Sequence, residues 1–212
     1  MRKRWLGLLL TAAAAAVSIW AYPRLPDTVP THWNLRGEPD GYGSRLVAAL
    51  VLPAVLLGLT GLFQILPRID PRGANYARFH DTYWRLINGV LGFLLVLHVT
   101  LLAIALGAPV DITRVITVGG GLLFVLVGNY LGRVESNWFL GIRTPWTLSS
   151  EAVWRKTHRT AAWLFVTGGI VVAVVGLVRP VGYLPLLAGT AAVVAGIPIV
   201  QSYWLWRRER VR

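Results

Sequence analysis

The sequence contains no cysteine, which excludes disulfide bonds, thiolate metal ligands and cysteine nucleophiles. Charge is also scarce, because Asp, Glu, Lys and Arg make up 14% of the 212 residues, against about 25% in soluble domains. Negative charge is the rarer sign, with nine Asp and Glu against 21 Lys and Arg and a net charge of +12. The hydrophobic share is 55% and the mean hydropathy is +0.58. This balance indicates a membrane protein whose length suits one compact bundle.

Six apolar runs are each close to the roughly 20 residues that a helix needs to cross the hydrocarbon core. Because a lipid-exposed segment must satisfy its own backbone hydrogen bonds, each run predicts a transmembrane helix. We therefore expect an all-α polytopic membrane bundle, with residues 1–212 as a single domain. Within it, 1–66 form a helix–loop–helix unit and 86–206 form a four-helix region. The runs are 5–22, 46–66, 86–106, 115–131, 161–178 and 184–206.

The first run has two interpretations. The basic residues Arg2, Lys3 and Arg4 followed by an alanine tract at 12–16 are typical of a cleaved signal peptide. The apolar stretch is longer than an ordinary signal core, which favours a retained helix.

Basic residues are distributed unevenly between the loops. Sixteen of them lie in the segments 1–4, 67–85, 132–160 and 207–212, and five lie in the segments on the opposite side. By the positive-inside rule, this bias predicts that both termini are cytoplasmic. The opposite segments are 23–45, 107–114 and 179–183. The excess positive charge then reflects topology and contact with anionic lipid, and no direct binding of nucleic acid is expected.

The outside loop 23–45 combines four prolines with potential cation ligands. An imidazole and two carboxylates, from His32, Glu38 and Asp40, are ligands that suit zinc or a similar ion. Their spacing matches no established metal motif, so these residues are weak candidates and no cofactor is expected. A folded cap with interfacial aromatic residues, or a recognition surface for something arriving from outside, are the alternatives.

The inside loop 67–85 carries aromatic residues at helical spacing, interspersed with arginines. The pattern predicts an amphipathic helix that lies at the inner leaflet before entering the membrane, with a structural role. The aromatic residues are Tyr76, Phe79, Tyr83 and Trp84.

The inside loop 132–160 is the densest in polar and aromatic residues. Gly141 and Pro145 predict a turn, and Ser149 is a suitable N-cap for a following helix. In that helix the spacing pairs Glu151 with Arg155, and places Trp154 and His158 on one face. Arg143 has the geometry to bind a carboxylate or a lipid phosphate. The loop is interpreted either as an inner-leaflet anchor, with Trp138, Trp146 and Trp154 among the headgroups, or as a recognition site.

Within the bilayer, His98 is the conspicuous polar residue. An intramembrane histidine is either a functional site or a neutral donor in an interhelical hydrogen bond, and we expect the latter. Two patterns of small residues predict close helix packing inside the chain, with dimerisation as the alternative. They are Ala188, Ala192 and Gly196, and Gly128 with Gly132.

Ten residues of the loop 132–160 carry a resemblance to a known family. The run Gly-Ile-Arg-Thr-Pro-Trp-Thr at 141–147 and the residues around it resemble the signature loop of the SdpI-type immunity protein family. The outside loop, with Val29-Pro30, His32 and Asp40-Gly41, is similar to the domain of unknown function that often precedes it. The ten residues are Asn137, Gly141, Arg143, Thr144, Pro145, Trp146, Ser149, Glu151, Trp154 and His158.

The resemblance implies a multi-pass protein of the bacterial cytoplasmic (inner) membrane without known catalysis. It implies resistance to a secreted peptide toxin outside, and retention of a soluble transcriptional repressor at the membrane inside. The ten signature residues, with His32 and Asp40 of the outside loop, become candidates for binding these partners. The alternatives are a small exporter of hydrophobic compounds that uses His98, a metalloenzyme built on the outside loop, and an envelope protein of uncharacterised role.

Overall fold

The computed structural model describes residues 2–34, 36–178 and 184–211. The expected loop 179–183 lies outside these residues. Six long helices occupy most of the described chain, together with one short helix and one hairpin of two strands. The elements are α1 (Arg2–Ala21), β1 (Thr28–Trp33), β2 (Pro39–Ser44), α2 (Arg45–Ile69), α3 (Tyr76–Ala105), α4 (Ile112–Leu131), α5 (Pro145–Ser149), α6 (Glu151–Val178) and α7 (Leu184–Arg210).

The expected membrane bundle is confirmed. All six long helices are long and apolar enough to cross a bilayer. Large apolar side chains, such as Leu9, Ile19 and Trp163, are exposed on the outside of the bundle, as expected for surfaces that contact lipid. The beginning of α1, the end of α7 and the segment 132–150 lie at one end of the bundle, which we call the signature end. The hairpin lies at the other end, the hairpin end.

Two helices begin earlier than their hydropathy predicts. Helix α3 starts at Tyr76 and α6 at Glu151, so each includes a polar first segment before its apolar part. In α3 this segment contains a kink, where Phe79 has φ −127° and ψ 23°. The expected helix over 76–85 is therefore the beginning of α3, and its aromatic side chains are covered by the protein. The aromatic residues of this segment pack against each other inside the protein. They are Tyr76, Phe79, Tyr83 and Trp84, each at most 6% exposed.

The outside loop contains an antiparallel hairpin that the sequence does not predict. Thr28 pairs with Ser44, and Trp33 with Pro39, with register shifts around His32. Gly37 adopts a φ of 80° in the connection, a conformation that glycine adopts without steric cost. Ser44 then caps α2 by accepting a hydrogen bond from the amide of Val47. The hairpin is thus fixed directly to the start of a membrane helix.

Glycines allow α4 and α6 to pack backbone to backbone. A Cβ atom at Gly121 would lie 2.7 Å from the carbonyl oxygen of Gly169, and one at Gly128 would lie 2.7 Å from that of Ala162. Such close approach is the usual function of small residues between membrane helices. The expected packing role is confirmed for Gly128. Gly132 makes only ordinary contact, with Ala162.

The small residues of α7 do not pack inside the chain, so this part of the expectation is wrong. Ala188 and Ala192 are exposed, and no described atom lies within 4 Å of a Cβ at Gly196. The pattern faces outward, because the packed face of α7 is formed by other residues, among them the buried Val194 and Ser202.

His98 joins three helices at a buried position. Its Nε2 lies 2.8 Å from the hydroxyl of Ser18 in α1, and that hydroxyl donates to the carbonyl of Ala49 in α2 over 2.6 Å. Because Ser18 has a single hydrogen, the Nε2–H of His98 donates to Ser18. The expected interhelical hydrogen bond is confirmed.

We predict that Gly121→Ala destabilises the bundle by about 1–3 kcal/mol, the usual cost of overpacking, since the new methyl group would meet backbone rather than a mobile side chain. The measurement is thermal unfolding of the purified protein in detergent. Gly58→Ala is the matched control, because no described atom lies within 4 Å of its Cβ position. Equal melting temperatures for the two variants would contradict the packing described for α4 and α6.

Candidate functional site

The segment 132–150 between α4 and α6, which we call the signature loop, is folded around the side chain of Asn137. This residue is 0% exposed. Its Nδ2 donates to the carbonyls of Glu135 and Leu140 at 2.9 and 3.0 Å. Its Oδ1 accepts from the amides of Phe139 and Leu140 at 2.9 and 2.6 Å. One amide side chain thus satisfies four backbone groups, and an irregular loop becomes a defined structure.

His158 attaches this loop to α6 through both ring nitrogens. Nδ1 lies 2.9 Å from the carbonyl of Trp154, and Nε2 accepts from the amide of Ile142 at 3.0 Å. The two partners require a neutral ring with its hydrogen on Nδ1. Gly141 has a φ of 109°, and a Cβ atom there would overlap His158 Nε2. Glycine is therefore required by both conformation and space.

Trp154 lies beneath the histidine. Its ring stacks on His158 with centroids 4.0 Å apart, and its Nε1 donates to the carbonyl of Val134 at 2.7 Å. The predicted shared face of Trp154 and His158 is confirmed. However, Trp154 is only 1% exposed, so its expected place among lipid headgroups is wrong. It belongs to the hydrophobic core, because its indole satisfies a loop carbonyl that the bilayer could not.

Threonines cap the short helix α5. Thr144 and Thr147 exchange side-chain and backbone hydrogen bonds in a capping box, with Pro145 in the first turn. Thr147 Oγ1 also donates to the carbonyl of Ile142 at 2.8 Å. Thr144 Oγ1 lies 3.1 Å from the hydroxyl of Ser202 in α7. The capping box therefore connects the signature loop to the last helix as well.

Asp70, which the sequence analysis did not single out, connects the loop to α2 and α3. It is 6% exposed. Its carboxylate accepts from the hydroxyl of Tyr76 at 3.0 Å, and from the amides of Arg72 and Trp138 at 2.7 and 2.9 Å. A buried carboxylate needs such partners to offset its desolvation. The available signal was its position, shortly after the apolar run 46–66.

Arg72 and Asn75 complete this connection. The Arg72 guanidinium donates to the hydroxyl of Ser136 and to the carbonyl of Leu148, the latter at 2.6 Å. Asn75 Nδ2 donates to the carbonyl of Ser136 at 2.7 Å. The loop is therefore bonded to α2, α3, α6 and α7, and it joins helices that do not all touch each other.

The exposed surface of the site is polar and basic. Arg143 donates to the carbonyl of Trp138 at 2.7 Å. The predicted pair of Glu151 and Arg155 is confirmed at 3.5 Å. Lys156 and Arg159 are exposed beside it. These side chains are exposed at the signature end of the bundle.

The predicted N-cap is displaced by one residue. Ser149 ends α5 and donates to the carbonyl of Trp146. Ser150 instead accepts from the amide of Val153, and its hydroxyl donates to Glu209 of α7 at 2.7 Å. Either serine hydroxyl could cap α6, but Ser149 is the last residue of α5, so the cap is Ser150.

At the hairpin end, His32 Nδ1 lies 2.5 Å from Asp40 Oδ1, and both side chains are exposed. Glu38 does not join them, since its carboxylate accepts from Asn34 at 3.0 Å. No group of three or more His, Asp or Glu residues that could hold a metal ion occurs in the described part of the chain. The three weak metal candidates are therefore not brought together.

The signature residues divide into two groups by exposure. The first group is enclosed and forms the fold of the signature end. The second is exposed. The enclosed or partly enclosed residues are Asn137, Gly141, Thr144, Trp146, Trp154 and His158, and the exposed ones are Arg143, Pro145, Ser149 and Glu151.

Two known protein families match this chain, one near its beginning and one in its second half. A domain of unknown function (DUF1648) matches residues 9–57, and the SdpI/YfhL protein family matches residues 133–202. Immunity protein SdpI of Bacillus subtilis is 30% identical over 174 residues, which cover 82% of this chain and 81% of that protein.

A shorter similarity extends beyond bacteria. An uncharacterized protein of Archaeoglobus fulgidus is 43% identical over 67 residues, covering 29% of this chain and 32% of that protein. No solved structure matches the chain. Given the extent of the match to Immunity protein SdpI, this chain belongs to the SdpI family.

Proposed function

We propose that this chain is an immunity and signalling protein of the bacterial inner membrane, which protects its cell from a secreted antimicrobial peptide. The observation that carries the proposal is the match to an immunity protein along 82% of the chain. That match is supported by the two exposed polar surfaces, one at each end of the bundle. Exposed arginines concentrate at the signature end, which supports the assignment of this end to the cytoplasm.

The peptide binds at the hairpin end in this proposal. Beside the His32–Asp40 pair is a groove of about 300 Å³, whose walls include Trp33, Leu52 and Leu101. An apolar groove next to an exposed imidazole–carboxylate pair suits a peptide that has both apolar and polar side chains. It is also near the membrane surface, where such a peptide would accumulate.

A soluble repressor binds at the signature end in this proposal. The first turns of α6 expose Arg155, Lys156 and Arg159, and the end of α7 exposes Arg207 and Arg208. Together they form a basic face suited to an acidic surface on the partner. Ser150 and Glu209 hold the two helix ends together. Trp154 lies beneath this face rather than on it, so its replacement tests folding and not docking.

Expression of the chain in toxin-sensitive cells without an immunity protein is expected to preserve membrane potential and survival during challenge with an SdpC-type secreted peptide. His32→Ala is expected to lower protection, because it removes the exposed imidazole without touching the core. Asp27→Asn is the matched control, since Asp27 is 91% exposed at the same end and bonds Arg45 instead. Killing of cells that hold the wild-type protein in their membrane would contradict the proposed immunity.

Photo-crosslinking tests the cytoplasmic partner. A photoreactive amino acid at position 159 is expected to capture a soluble DNA-binding protein when toxin is present, with the adduct identified by mass spectrometry. The control position is 163 on the same helix, because Trp163 is 70% exposed but lies one turn further into the bilayer. No adduct at 159, or equal adducts at both positions, would argue against repressor capture at this face.

A further inference from the structure

A cleft enters the bundle directly beneath the signature loop. In the described part of the chain, α7 packs against α4 and α6 but not against α2 or α3. The space left between these helices is a cavity of about 480 Å³, within the range of about 300–1,000 Å³ typical of small-molecule sites. Its lining residues include Phe63 of α2 and Ala195 and Ile199 of α7, so the cleft lies between these two helices. Its walls include Phe63, Val90, Val127, Phe165, Ala195 and Ile199.

The polar groups of the cleft are concentrated at one place. Among the side chains that line it, Arg143 is the one charged group, and Thr144 is the other polar one. Thr144 is already engaged in the capping box. Arg143 is exposed, and one of its nitrogens donates to the carbonyl of Trp138. Its other guanidinium nitrogens have no hydrogen-bond partner among the described residues, and no carboxylate lines the cleft.

The apolar walls and the single arginine of the cleft indicate which class of ligand it can bind. A polar solute or a cluster of water needs several polar partners in the cavity, and the walls offer almost none. A long apolar chain is buried well by these walls, and an anion at its end meets the free nitrogens of Arg143. The signature loop follows the end of α4 and precedes α6, and the ends of helices that span the hydrocarbon core lie near the polar headgroups.

We infer that the cleft binds one anionic phospholipid from the leaflet at the signature end, with an acyl chain between α2 and α7 and its phosphate on Arg143. The lipid fills the space between α2 and α7, which do not contact each other in the described part of the chain. This site is independent of toxin and repressor, since it requires neither surface assigned above.

The test is native mass spectrometry of the purified full chain in detergent, with phosphatidylglycerol and phosphatidylcholine of identical acyl chains added in turn. Wild-type protein is expected to retain one phosphatidylglycerol, and to prefer it to phosphatidylcholine. Arg143→Gln is expected to weaken phosphatidylglycerol binding about tenfold, the effect of losing a charge-assisted hydrogen bond. Arg155→Gln is the matched control, an exposed arginine of the same end outside the cleft.

A second variant tests the apolar part. Ala195→Phe places a ring in the cleft and is expected to reduce retention of both lipids, while circular dichroism confirms that the helices are intact. Equal retention of the two lipids by wild-type protein would overturn the assignment. So would an equal loss in Arg143→Gln and Arg155→Gln, which would indicate a diffuse basic surface. A lipid-free dimer that Ala195→Phe dissociates would assign the cleft to a second copy instead.

Discussion

The imidazole of His158 holds the signature loop against α6 through both of its ring nitrogens, and the signature end of the bundle is built around that attachment. The ring has one acceptor for its hydrogen and one donor for its lone pair, Trp154 O and Ile142 N. Both nitrogens of this buried ring are therefore hydrogen-bonded, and neither is left without a partner. Gly141 is needed because any Cβ would displace the ring. Arg143 and the capping threonines follow directly in sequence, so their positions are set by the same bond.

The signature pattern therefore combines enclosed residues that hold the fold with exposed residues in one stretch of sequence. Its enclosed residues hold the loop to α6 and α7, and they are as much a part of the fold as the glycines between α4 and α6. Of its exposed residues, Arg143 and Ser149 also donate to loop carbonyls. A short motif read only as a recognition site would assign Trp154 and His158 to a partner, although their side chains have no surface to offer.

The helices could be predicted from the sequence because about twenty apolar residues must form a helix in lipid. The hairpin could not, since β1 and β2 contain Pro30, Pro39, Gly41 and Gly43, which are poor strand residues, and their pairing depends on the helices at either side. The aromatic residues of 76–85 were misplaced because helical spacing defines a face without saying whether lipid or protein covers it. Asp70 was missed for a related reason, as its three donors come from two separate segments.

The two halves of the chain meet chiefly at the signature end and through the contact of α3 with α4. Asp70 and Arg72 bind the signature loop from one half, and Thr144 and Ser150 bind α7 from the other. The cleft lies directly below these bonds, where the helices themselves separate. An occupant of the cleft would contact both halves of the chain. The basic face of α6 and α7 lies beside the same hydrogen-bonded loop. The loop beneath which the cleft lies is therefore the same loop that is hydrogen-bonded to the end of α7, where Arg207 and Arg208 are exposed.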